Sequence, residues 1–143
     1  MRKALPILTL LLLAGCVDQS ASYMINGDNE HAITVRAEQE YFWSDEVTLR
    51  MIVSNLPDCQ RQYPLTKLPM SEADVELYAS GENVFMLHAG KEAWQVDLQS
   101  CAQTPAALPA APGEKLGTFK TGDEKMVFEP AAAAAPAPAA AAN

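Results

Sequence analysis

HAITVRAEQEYFWSDEVTLRMIVS, residues 31–54, decides the fold class of this chain. Ile33, Val35 and Ala37 alternate with Thr34, Arg36 and Glu38, and the odd positions continue through Tyr41 to Trp43. After Ser44-Asp45 the alternation resumes, with Val47, Leu49, Met51 and Val53 set against Glu46, Thr48, Arg50 and Ser54. Successive side chains of a strand point to opposite faces, so a period of two with β-branched and aromatic enrichment is the mark of a half-buried strand. Two such runs around a short polar turn predict an antiparallel hairpin.

The same signal recurs downstream at shorter length. Val75, Leu77 and Ala79 alternate with Glu76 and Tyr78, which favours a strand from about Asp74 over the helical turn that Ser71 and Asp74 could cap. Ser80-Gly81-Glu82-Asn83 reads as a turn, Val84–Ala89 as a strand, Gly90-Lys91 as a second turn, and Ala93–Gln99 as a strand with Trp94, Val96 and Leu98 on one face. Leu116–Lys120 and Lys125–Glu129 flank Thr121-Gly122-Asp123, a further hairpin signal. Roughly seven short strands punctuated by frequent turns predict an all-β fold, a small antiparallel sandwich or barrel-like meander with disordered termini.

Around these strands lie segments without core-forming patterns. Residues 17–30 are polar and read as a tether. Asn55–Pro69, broken by Pro57, Pro64 and Pro69, reads as a long connection. Residues 102–113 (AQTPAALPAAPG) read as a Pro/Ala linker, and 130–143 as a disordered Ala/Pro tail with nothing to bury. The expected organisation is thus a β domain at 31–101, the linker, a hairpin at 114–129 that either completes the sheet or hangs apart, and the tail.

At the start of the chain, Arg2 and Lys3 precede an apolar run, Leu5–Leu13, which ends in Leu13-Ala14-Gly15-Cys16. The run is about half the roughly twenty residues that a membrane-spanning helix needs, and its basic start and small-residue end make it a secretion signal. The last four residues resemble the lipobox of bacterial lipoproteins. That resemblance implies that residues 1–15 are a signal peptide and that Cys16 becomes the first residue of the mature protein. It would carry a thioether-linked diacylglycerol and an amide-linked third chain, with 16–30 as lipidated N-terminus and tether. Two acyl chains, at about 0.8 kcal/mol per buried methylene, already suffice for stable anchoring to a membrane. Val17, rather than an aspartate, directly after the cysteine implies an outer-membrane address facing the periplasm.

Lipidation of Cys16 leaves Cys59 and Cys101, and two cysteines in an exported protein are expected to form one disulfide. The bridge would close a loop of about 43 residues and contribute about 4 kcal/mol by restricting the unfolded chain. Metal binding would need partners at ligand spacing, and His31 and His88 stand without a CxxC or HxxxH beside them, so no metal is expected.

The chain carries 10 basic and 18 acidic side chains; loss of Arg2 and Lys3 with the signal leaves 8 against 18, a net charge of −10. Without a basic patch to neutralise phosphates, nucleic-acid binding is excluded, while a cationic partner is favoured. No GxSxG, HExxH, GxGxxG or P-loop spacing occurs, so no catalytic residue, cofactor or small-molecule substrate is expected. Tyr41-Phe42-Trp43 is the most conspicuous patch. On a strand, Tyr41 and Trp43 would face one way and Phe42 the other, giving core on both sides or else an exposed aromatic anchor for another envelope protein.

A second resemblance concerns residues 80–101. Ser80-Gly81, Phe85, Gly90-Lys91-Glu92-Ala93 and Cys101 form a pattern similar to the C-terminal part of small lipoproteins that inhibit C-type lysozyme. The early cysteine motif of that family is absent here, and Glu82-Asn83-Val84 stands where a tyrosine usually follows the Ser-Gly turn. The resemblance implies a small all-β barrel on the outer membrane whose Ser80-Gly81 turn enters the cleft of a cationic hydrolase. The leading expectation is a non-enzymatic, lipid-anchored envelope protein with a binding or structural role, with Tyr41, Trp43, Ser80 and Gly81 as partner contacts. The alternative is an inhibitor of a cationic hydrolase such as lysozyme. A small enzyme would rest on His31 and His88 alone.

Overall fold

A computed structural model describes residues 16–106 and 113–132. The expected signal peptide at 1–15, part of the expected linker (107–112) and most of the expected tail (133–143) lie outside the described residues. Among the described residues ten strands follow one another: β1 (Asp18–Ile25), β2 (Asp28–Glu38), β3 (Glu46–Asn55), β4 (Cys59–Pro69), β5 (Val75–Gly81), β6 (Val84–Ala89), β7 (Glu92–Asp97), β8 (Ala102–Ala106), β9 (Glu114–Lys120) and β10 (Val127–Pro130). They form two antiparallel sheets, β1-β2-β3-β4 and β10-β9-β5-β6-β7-β8, around one hydrophobic core.

The β2–β3 pairing runs from His31 opposite Asn55 to Glu38 opposite Thr48. Its inward face is the set that the alternation names: Ile33, Val35, Ala37, Val47, Leu49, Met51 and Val53 are fully buried. The second sheet meets them with Val75, Leu77, Leu87, Val96 and Phe119. On the outward face, Arg36 stands directly opposite Arg50, a repulsive arrangement that Glu38 relieves by lying 3.1 Å from one guanidinium and 2.9 Å from the other. Asp18 on β1 accepts from Arg36 in bidentate fashion, from Nη2 at 2.6 Å and from Nε at 2.9 Å.

Three segments expected to be irregular are strands. Residues 17–30 are no tether: β1 pairs along β2 through a two-residue turn, Asn26-Gly27, whose φ angles of 56° and 75° are those of a type I′ hairpin. Its inward side is only half-buried, formed by Ala21, Tyr23 and Ile25 with Gln19, whose Nε2 donates to the Gly122 carbonyl at 2.7 Å. Asn55–Pro69 is mostly β4, and the start of the expected 102–113 linker is β8. Both lie at sheet edges, where proline can replace a ladder donor; Pro64 and Pro69 fall on β4, Pro105 on β8 and Pro130 on β10.

The open place of the 114–129 hairpin is decided, and the tail boundary moves. The 114–129 hairpin belongs to the main body, since β9 pairs with β5, Val75 opposite Phe119. Pro130 still pairs with Gly117, and the Ala131 N–H donates to the Leu116 carbonyl at 3.0 Å, so the ordered chain runs beyond the expected tail boundary. Gly117 is required by close approach: a Cβ there would lie 2.4 Å from Phe128 Cζ and 2.5 Å from the Glu129 carbonyl.

Each flank of the two-sheet body is closed differently. On one, β1 and β10 meet through the rings of Tyr23 and Phe128, 5.2 Å apart. On the other, the Cys59–Cys101 disulfide joins the start of β4 to the residue before β8, and Tyr63 Oη donates to the Cys101 carbonyl at 2.6 Å.

Candidate binding surfaces

The strand registers define two ends. One end gathers Val17, Glu38, Glu46, Pro69 and Gly90; the other gathers the Asn26-Gly27 turn, His31, Asn55, the disulfide and the β5–β6 turn.

At the first end, Cys16 is exposed and outside the disulfide. Val17 follows it directly and is held by two hydrogen bonds: the Gln39 N–H donates to its carbonyl at 2.8 Å, and its own N–H donates to Gln39 Oε1 at 3.3 Å. Gln39 begins the β2–β3 loop, and its Nε2 donates across that loop to the Ser44 carbonyl. The alternation therefore stops at Glu38, and a turn closed by Ser44 N–H on the Tyr41 carbonyl (3.0 Å) replaces the ladder. The consequence corrects the strand reading of Tyr41-Phe42-Trp43: the three rings contribute nothing to the core. They are 47%, 60% and 69% exposed. Tyr41 stacks on Trp43 at 5.0 Å and Phe42 meets Trp43 edge-on at 4.8 Å, so they form one compact aromatic cap. Lys67 anchors its acidic neighbours, 3.3 Å from Glu40 and 3.8 Å from Glu46.

The opposite end carries the second pair of expected contacts. Ser80 and Gly81 are exposed at the close of β5. Beside that turn, Asn26, His31, Asn55, Asp58, Asn83 and Gln99 line an open polar depression of about 510 Å³. Asp28 Oδ2 lies 2.7 Å from His31 Nδ1, and the Glu30 N–H together with His31 holds the Asp28 carboxyl below the usual carboxylate range. The structure thus separates the four expected contact residues: Tyr41 and Trp43 at one end, Ser80 and Gly81 at the other.

A third cluster, unseen in the sequence, lies on the outer face of the second sheet. Glu76 accepts from Lys115 Nζ at 2.6 Å and Tyr78 Oη at 3.0 Å, and lies 2.9 Å from His88 Nδ1. Lys115 above all, then His88, pull its carboxyl down to about 2 against the opposing effect of burial. So strong an acid is a poor general base near neutral pH. Both nitrogens of His88 are engaged, the second with the Gly90 carbonyl at 3.0 Å. The cluster holds three strands in register. Glu76 and His88 are cross-strand partners in a hairpin the sequence announces, but Lys115 arrives from a strand 39 residues away, which no local pattern indicates.

Among the described residues, no group of three or more His, Cys, Asp or Glu side chains could hold a metal ion. No protein-family model, curated protein or solved structure matches this chain.

Proposed function

We propose that this protein is a lipid-anchored bacterial envelope protein that works by binding, with Cys16 as its point of attachment and the end bearing Ser80, His31 and the disulfide as its partner-facing end. The observation that carries this reading is the state of the three cysteines. Cys59 and Cys101 are bonded to each other, while Cys16 is exposed, unpaired and two residues ahead of β1, where acylation disturbs no packed residue. Through the lipobox resemblance, Val17 after the cysteine supports an outer-membrane, periplasm-facing location. The acidic surface fits a cationic partner, and inhibition of a cationic hydrolase such as lysozyme is the specific form favoured by the exposure of the Ser80-Gly81 turn.

Cys16→Ala expressed in a diderm bacterium tests the anchor. Radiolabelled palmitate should enter the wild type only, and the variant should leave the membrane fraction. A variant that remains with membranes as the wild type does removes the basis for the reading.

A further inference from the structure

We infer that the Tyr41-Phe42-Trp43 cap is a bilayer-contact surface that inserts into the interfacial region beside the lipid on Cys16. This inference rests on the anchored reading above and adds to it a second, non-covalent membrane contact with a defined orientation of the domain.

Chain length is the first ground. Val17 is the sole residue between Cys16 and β1, and one extended residue spans at most about 3.6 Å. A lipid on Cys16 therefore brings the adjoining end of the body to the headgroups. The second ground is which residues share that end. Val17 is bonded on both sides to Gln39, two residues before Tyr41, so the cap is attached to the anchor's own neighbour. Third, the chemistry matches: tyrosine and tryptophan concentrate where apolar rings and polar tips both find partners, at the headgroup level. Among the described residues, the other large exposed apolar side chains are Met24 and Leu56, at the opposite end, and Val127, paired with Lys120 on another strand pair.

The surrounding charge defines the kind of surface. Glu40, Asp45 and Glu46 flank the cap, Lys67 pairing with Glu40 and Glu46, and Asp18, Glu38, Arg36 and Arg50 lie behind it. No basic excess draws this end to anionic lipid, so the contact depends on ring burial, favours zwitterionic headgroups and is insensitive to salt.

Tryptophan fluorescence reads this directly, because the chain has two tryptophans and Trp94 is buried. A chain beginning at Cys16 keeps all ten described strands, and with the disulfide formed its single free thiol couples to a maleimide phospholipid in phosphatidylcholine vesicles. In the Trp94→Phe background, coupling should shift Trp43 emission to the blue and lower iodide quenching several-fold, with phosphatidylcholine brominated near the headgroup quenching it. Phe42→Ala should weaken all three effects, and 0.5 M salt should change none (about a 4 Å screening length). Emission and iodide access identical in coupled and uncoupled protein would overturn the inference. So would an envelope protein whose capture is abolished by Trp43→Ala while the coupled ring stays in water, which would make the cap a protein-binding surface. Since chemistry supplies the anchor here, an unlipidated Cys16 in cells would defeat the anchored reading without altering these readouts.

Discussion

Replacing Cys59 and Cys101 together by alanine should lower the melting temperature by about 20–25 °C. The bridge spans 42 residues of sequence, and the loop-closure entropy it removes from the unfolded chain is about 13 cal/mol/K, or about 4 kcal/mol at 25 °C. The fully buried Cys101 sulfur adds an apolar contribution of about 1 kcal/mol that alanine forfeits. For the roughly 110 described residues, each releasing about 2.1 cal/mol/K on unfolding, that total of about 5 kcal/mol converts to about 22 °C. The structure gives a second reason to expect a large effect. On the opposite flank β1 and β10 close the body with packed rings, whereas the β4–β8 flank has the disulfide and the Tyr63–Cys101 hydrogen bond. Calorimetry or far-UV circular dichroism of oxidised wild type, the double variant and Cys16→Ser provides the comparison. Cys16→Ser should melt with the wild type, because that thiol touches no core residue. A double variant melting within about 5 °C of the wild type would refute the reasoning, since at most about 1 kcal/mol would then be attributable to the bridge.

Glu76→Gln tests the outer-face cluster. A carboxyl depressed from 4.5 to about 2 in the folded state stabilises the protein above its unfolded value and loses that contribution as pH falls from about 4.5 to about 2. The full difference is at most about 3 kcal/mol, which solvent at the partly exposed Lys115 reduces to about 1–2. Wild type should therefore lose that much more stability than Glu76→Gln across this window in urea titrations, and parallel curves would sink the assignment. Gly117→Ala should destabilise by about 1–3 kcal/mol, because its Cβ meets the fixed Glu129 carbonyl as well as the Phe128 ring. Chemical denaturation showing no loss would mean that β10 is not held on β9 as described.

What the sequence announced, and what it concealed, divides by position in the sheets. Central strands bury a complete face, so Ile33 to Ala37, Val47 to Val53 and Val75 to Ala79 carry the alternation that identifies them. Edge strands bury less. β1 presents Gln19, Ala21, Tyr23 and Ile25 inward, β4 is mostly exposed, and β8 carries a proline, so all three resemble linkers in composition. Asn26-Gly27 was the one local signal able to reveal β1, since a turn with two left-handed residues predicts strands on both sides. The aromatic cap fails in the opposite sense. Its residues continue the period of two formally, but pairing ends when Gln39 turns its backbone to Val17 and its side chain to Ser44, both contacts invisible to a local pattern.

The strand that replaces the expected tether changes what an anchor at Cys16 can do. Fifteen flexible residues would let the domain rotate and offer any face to a partner. One residue, pinned through Gln39, fixes a direction instead. With lipid on Cys16, β1 carries the chain away from the membrane and β2 returns it, the 11 residues of β2 spanning about 35 Å at strand rise. That displacement puts the Ser80-Gly81 turn, the His31–Asp28 pair and the polar depression beside them at the far end, beyond reach of the bilayer. The Glu76 cluster faces sideways, where its ion pairs already occupy its charges. Lipid contact and partner contact are then separable on the molecule: substitutions in Tyr41-Phe42-Trp43 should alter how the domain sits without altering what the far end recognises, and substitutions at Ser80 should do the reverse.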